Sequence, residues 1–195
     1  MGLDLSMTAV PIEMKNIFSK AIEKSESEYP SIIFSLPSAF KADFYDFGHP
    51  DWIEFKKDAR TLLQYYPNNK FDYKYYFDSN RSYDALDYLI SRYITDYNYS
   101  FFNEGIEFKQ SVGGQGQTLK YWSKEILIEK AKLIEKIEFS DLMKHYDFEQ
   151  MEELGVYKIT QIDYNKGNIK EVFINLKFFL NEAIKVSGYV LIIKN

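Results

Sequence analysis

Residues Leu3 to Val10 set Leu3, Leu5, Met7 and Ala9 against Asp4, Ser6 and Thr8. That alternation has a period of two and predicts a strand with one buried face. Pro11 suits a helix start, and Met14, Ile17, Phe18, Ala21 and Ile22 supply the stripe of an amphipathic helix. From Ser25 to Pro50 no period lasts. Pro30, Pro37 and Pro50 punctuate a mix of aromatic and polar residues. This stretch reads as a long irregular connection with a short strand at Ile32 to Phe34, of the kind that serves as a contact loop.

Regular patterns then return. Trp52, Phe55, Ala59, Leu62 and Tyr66 share one face of a helix over Asp51 to Tyr66, which Pro67-Asn68-Asn69 ends. Phe71, Tyr73, Tyr75 and Phe77 alternate as a strand or an extended lead-in. Asn80 or Ser82 caps a helix whose stripe is Tyr83, Leu86, Leu89, Ile90 and Tyr93. Ile106, Phe108 and Val112 predict a further strand, Gly113 to Gln117 a turn, and Thr118 to Trp122 a short extended piece. Ser123 is the N-cap of a helix from Lys124 to Glu138. A short helix over Ser140 to Tyr146 follows, then another opened by Asp147 and Gln150 and closed by Gly155. Ile169 to Val186 is the strongest helix, with a wide apolar face. After Gly188, Tyr189 to Ile193 is apolar without alternation, as in a strand covered on both faces. With no repeat or linker, residues 1–195 read as a single α+β domain. The first and last strands share one small sheet, packed against several helices.

Composition narrows the chemistry. The chain has 195 residues and no cysteine, which excludes disulfides, Cys-type zinc sites and thiol catalysis. Only His49 and His145 are present, so a multi-histidine metal site is nearly excluded. The formal net charge is −5, and no basic stripe exists to neutralise phosphates, which argues against nucleic acid and against an anionic membrane surface. No basic residue precedes Lys15 and no apolar run precedes a cleavage site, so a signal peptide is not expected. A reduced cytoplasm is the expected address. The 17 Tyr, 16 Phe and 21 Lys against 3 Arg share AT-rich codons with Ile and Asn, and genome bias accounts for them more cheaply than a ligand does.

Candidate motifs are few. Gly113 to Gln117 lacks the spacing and the lysine of a phosphate loop, and a hairpin-like turn is favoured. Asp43, Asp46, His49 and Asp51 hold metal-ligating types within nine residues, but on a loop that fixes no common face, so no metal site is assigned. Asp84 and Asp87 lie three apart on one helix after Asp78 and Arg81. They suit acid–base work in a cleft, although a solvated face with local ion pairs is the plainer reading. No serine motif of the G-x-S-x-G type occurs, and no catalytic residue is assigned.

Four stretches carry a resemblance. Asn80–Ile90 resembles the helix of the YfbM-like family that follows an Asp-Lys-x-Trp-His start. Tyr121–Ile126 resembles its Tyr-Leu-Ser/Thr-Pro-Glu-Glu-Val helix opening, and Phe148–Tyr157 its Phe-Asp-x-x-x-Met…Ile-Tyr stretch. Val172–Ile193 is similar to its long aromatic helix running into the last strand. The chain departs from the pattern at Tyr83-Asp84 (for Trp-His), at Asp87 (for a second histidine) and at Ser123-Lys124 (for Ser/Thr-Pro). The family consists of small bacterial proteins sharing a domain of unknown function. The resemblance implies an α+β fold and a bacterial cytoplasmic origin, and it assigns neither activity nor cofactor. Two functional expectations follow. One is a module that binds another protein, of immunity or inhibitor type. The other is a small-ligand protein or enzyme with a cleft lined by Asp78, Arg81, Asp84, Tyr121 and Trp122. Neither calls for a cofactor, and the pattern assigns no oligomeric state.

Overall fold

The structure, a computed structural model, describes residues 5–41, 44–96, 98–108, 119–157, 159, 168–186 and 188–194 in full, and residues 118 and 163–167 by backbone only. Among the described residues five strands form one antiparallel sheet: β1 (Leu5–Pro11), β2 (Tyr76–Asp78), β3 (Ile106–Glu107), β4 (Thr118–Trp122) and β5 (Gly188–Lys194). Their spatial order is β2-β1-β5-β4-β3, so the two strands farthest apart in sequence lie side by side at its centre. They pair from Leu5 opposite Lys194 to Pro11 opposite Gly188.

Residues opposite one another across an antiparallel pair point to the same face. Met7 stands opposite both Phe77 and Ile192, and Trp122 opposite Val190. This face is covered by α9 (Asp163–Val186), whose Phe179 ring lies 5.9 Å from that of Phe77, and by α6 (Lys124–Glu135), which brings Lys130 over Trp122. Tyr121 and Leu191 face the other way, where Phe18 of α1 (Met14–Glu23) packs 5.2 Å from Tyr121 and 6.2 Å from Tyr189. The sheet is thus sandwiched between helices. That explains the unbroken apolar run in β5, where Val190, Leu191, Ile192 and Ile193 are all buried. It also corrects the reading of β1: Thr8 and Val10, on the face opposite Met7, are buried too.

The segment from Ser25 to Pro50 differs most from expectation. It contains α2 (Tyr29–Ile32), a 3₁₀ turn at Ile33–Ser35 and α3 (Leu36–Ala39), and no strand among its described residues. Pro30 and Pro37 sit in the first turns of these helices, where a missing N–H breaks no bond. Tyr29, Ile32, Ile33, Leu36, Ala39 and Phe40 are buried, a stripe at helical spacing. Tyr29 packs edge-on against Phe55 at 5.6 Å, which ties the segment to α4 (Pro50–Thr61).

Elsewhere the caps decide the boundaries. His49 is the N-cap of α4, its Nδ1 accepting the Asp51 N–H at 3.3 Å, with Pro50 at the first helical position. Between Phe71 and Phe77 the chain makes a 3₁₀ turn at Tyr73–Tyr75 before β2. Ser123 opens α6, which ends at Glu135 rather than Glu138, and α7 runs Phe139–Met143. Asp147 caps α8 (Phe148–Glu153), which closes at Gly155 (φ +71°). There the N–H groups of Val156 and Gly155 reach back to the carbonyls of Met151 and Glu152. α5 spans Tyr83–Tyr93. The described part of the Ile106–Val112 strand is β3 with Phe108, whose N–H donates to Leu119 O at 3.1 Å; Val112 and the Gly113–Gln117 turn lie outside the described residues.

Candidate functional site

The five residues singled out from sequence do not share one cleft. Tyr121 and Trp122 are neighbours on β4 and therefore face opposite sides of the sheet. Trp122 is fully buried, its Nε1 donating to the Glu104 carbonyl at 2.6 Å. Tyr121 packs on Phe18 on the other face. Asp78 ends β2, exposed, and accepts the Asn80 N–H at 2.8 Å in a turn where Asn80 and Arg81 both have positive φ. Asp84, in the first turn of α5, accepts the Tyr157 N–H at 2.8 Å. Asp84 and Asp87 are anchors for distant backbone rather than a solvated face.

Asp87 is the deeper of the two. It accepts hydrogen bonds from the Ser100 hydroxyl and from the N–H groups of Phe101 and Phe102, the last at 3.2 Å. Burial pushes its carboxyl above the usual range, against the pull of these donors and of Lys194. Burial in turn pushes the Lys194 ammonium down, with Asp87 opposing. The same loop is gripped from α6. Lys130 enters the interior, bonds Tyr99 Oη at 2.6 Å, pairs with Glu104, and sits 4.4 Å above the Tyr99 ring and 4.9 Å above Phe101. Desolvation lowers its pKa and Glu104 resists that. Both groups fasten residues 99–104 to the helices.

The sign at Asp87 gives a test. An acid with a raised native pKa contributes stability that is complete below the ordinary aspartate value of about 3.9, and that is lost as pH rises through the native value. In Asp87→Asn that dependence is removed. The wild-type melting temperature minus that of the variant should fall as pH rises through this window, measured between about pH 3 and 7. A difference that stays flat would place Asp87 in an ordinary solvated setting.

The acidic–histidine cluster is also occupied structurally. Asp46 accepts the Gly48 N–H at 3.2 Å and pairs with Lys56 at 3.1 Å; His49 caps α4; Asp51 pairs with Lys24 at 3.2 Å. Asp43 lies outside the described residues. Among the described residues no three acidic or histidine side chains converge as a metal site. The other histidine, His145, stands edge-on to Tyr93 at 6.4 Å, beside a polar cleft of about 480 Å³ between α5 and α7–α8. There Tyr88 Oη donates to Gln150 Oε1 at 2.5 Å, the Arg92 guanidinium lies 4.8 Å over the Tyr88 ring, and Asp147 caps α8. Tyr88 and Gln150 thus serve each other at the wall of this cleft.

What the fold does not consume is a set of aromatic side chains ahead of α4. Tyr45 and Phe47 are 70% and 66% exposed, and Ile53 in the first turn of α4 is exposed as well. Phe44 stacks on Trp52 with centroids 5.7 Å apart, Phe47 meets Trp52 edge-on at 5.1 Å, and Tyr45 meets Phe47 edge-on at 4.7 Å. The cluster is held in place. Trp52 Nε1 donates to Glu28 Oε2 at 3.1 Å, and the His49 N–H donates to the Asp46 carbonyl at 3.0 Å, closing the turn. Phe47 and Gly48 are consecutive left-handed residues, with φ +53° and +66°. For phenylalanine that backbone costs about 1–2 kcal/mol. No periodic stripe includes Tyr45 or Phe47, and that exclusion is the signal by which sequence reasoning could have found them.

Comparison with known proteins adds one finding. Residues 48–193 match the model of a family described as a domain of unknown function (DUF1877). That range runs from Gly48, inside the aromatic turn, through α4 to Ile193 in β5. No curated protein and no solved structure matches the chain.

Proposed function

Since the chain belongs to the DUF1877 family, the same family as the YfbM-like proteins and one whose description assigns no activity, we propose from its own geometry that it acts by binding another protein through the aromatic surface of residues 44–53. The observation that carries this reading is the state of Tyr45 and Phe47. Two large rings stand mostly in water, and one of them sits on backbone that phenylalanine adopts only at a cost. Folding gains little from either. A partner that buries them gains a great deal, because preorganised aromatic side chains dominate the energetics of protein interfaces. Glu28 and Asp46 at the edge of the cluster supply a polar rim.

The reading is tested with a tagged protein and lysate of the native host. Wild type should retain one stoichiometric protein that Tyr45→Ser/Phe47→Ser loses, while both melt at the same temperature. Phe47→Gly separates binding from folding further. Glycine accepts the left-handed backbone, so that variant should bind more weakly with no loss of stability. Equal retention by wild type and the double variant, or no stoichiometric partner for either, counts against the proposal.

A further inference from the structure

A groove of about 240 Å³ opens between α1 and the junction of α4 with a 3₁₀ turn at Leu62–Tyr65. We propose that this groove binds one neutral sugar ring, a pyranose, with its hydroxyls on the polar walls and a C–H face on Tyr65. The proposal concerns a different surface from residues 44–53 and does not depend on the protein-binding reading.

The walls carry hydrogen-bonding groups of both kinds. Asn16 of α1 and Gln64 of the 3₁₀ turn present side-chain amides, each able to donate and to accept. Glu13, at the start of α1, adds a carboxylate. Among the described residues none of these three side chains makes a hydrogen bond or an ion pair. Asp58 is a fixed acceptor. Its Oδ2 accepts from the Lys20 ammonium at 2.6 Å and from the Tyr29 hydroxyl at 2.6 Å, so Oδ1 is the oxygen left to a guest. The Thr61 hydroxyl donates to the Asp58 carbonyl at 2.6 Å and keeps lone pairs to accept with. The apolar part of the lining is Ile17 and Leu62, both buried, and the ring of Tyr65, which is 45% exposed. A tyrosine offers an apolar face and a polar tip together.

This mixture selects the occupant. A carboxylate or phosphate could only accept, and it would meet Glu13 and Asp58. A simple ammonium could only donate, and the Lys20 ammonium already stands between Asp58 and Glu54, at 2.6 Å and 2.8 Å. An apolar ring would displace water from the amides and carboxylates and give no hydrogen bond in return. A pyranose donates and accepts at each hydroxyl and turns a C–H face to an aromatic ring, so it uses every part of the lining. The volume agrees. Pockets for drug-sized ligands hold about 300–1,000 Å³, and this smaller groove suits a single ring.

Ligand-observed NMR titration of the full chain with glucose, galactose, mannose and N-acetylglucosamine tests the site. At least one should bind saturably with a Kd of about 1–10 mM, the strength of a small ligand held by a few hydrogen bonds. The uronate of that sugar should bind about five-fold more weakly, because its charge meets two carboxylates, and the amino sugar no more tightly than the neutral parent. Its methyl glycoside separates the two sources of a pyranose: equal binding assigns the groove to the end of a glycan, and lost binding to the free sugar. Tyr65→Ala and, separately, N16A/Q64A change exposed side chains. Both should keep the wild-type melting temperature and weaken binding about five-fold, through loss of a stacking face or of two hydrogen bonds. Absence of saturable binding by all four sugars up to about 50 mM overturns the proposal. So does a uronate that binds as well as its parent, an amino sugar that binds more tightly, or an affinity unchanged in either variant. None of these results bears on Tyr45 or Phe47, so the two proposals stand or fall separately.

Discussion

Gly188→Ala should melt roughly 10 °C below wild type, the shift expected for a loss of about 3 kcal/mol in a domain of this size. Gly188 opens β5 directly opposite Pro11, the last residue of β1. A methyl group there would stand 1.9 Å from the Val10 carbonyl oxygen and 2.5 Å from the Pro11 carbonyl carbon, both far inside contact distance. Both neighbours are backbone and have no rotamer by which to withdraw. The two central strands must separate at that end, or β5 must bend away. Space is the constraint here, not an unusual φ. Thermal melts followed by circular dichroism read the effect, and a variant that melts within about 2 °C of wild type would show that the strands do not approach so closely.

Trp122→Ala should cost about 3–5 kcal/mol, the range for truncating a large buried aromatic. The indole is fully buried, Phe101 meets it edge-on at 5.5 Å, and its N–H is the donor to the Glu104 carbonyl. Truncation opens a cavity, leaves that carbonyl without its donor, and removes a ring that flanks the Lys130 ammonium at 5.9 Å. Trp122→Phe keeps most of the volume and loses only the hydrogen bond, so it should retain more than half of the difference. Chemical denaturation measures both. The chain has two tryptophans, so fluorescence from either variant comes from Trp52 alone and reports on the aromatic turn while the core is perturbed. Equal stability of the alanine and phenylalanine variants would mean that the hydrogen bond, not packing, dominates at this position.

The elements that were legible in the sequence are those whose burial follows a simple period. Leu5, Met7 and Ala9 announced β1, the unbroken run at Tyr189–Ile193 announced a doubly covered strand, and the stripe in α9 was plain from Val172 to Ile184. Side-chain caps at Ser123 and Asp147 marked helix starts as expected. The stretch from Tyr29 to Phe40 hides its helices because its prolines read as breaks. In first-turn positions they are compatible with a helix, and the Ile32-Ile33 pair mimicked a strand while serving a helical stripe. Two of the candidate site residues part for a geometric reason. Tyr121 and Trp122 are adjacent, and adjacency in a strand means opposite faces. The burial of Asp87 is invisible in the sequence because its donors, Ser100, Phe101 and Phe102, come from a loop that no local pattern links to α5.

The arrangement at the middle of the sheet has a consequence for how the chain is made. β1 is synthesised early, yet the long edge it offers to β5 finds its partner only after some 180 further residues. The three-residue β2 is all that can occupy its other side in the meantime. Pairings of such wide separation are slow to close, and an open apolar edge invites association with neighbouring chains. On the ribosome the helices between must therefore gather around an incomplete centre. Removal of residues 188–194 would take out the keystone of the sheet, not a piece of its margin.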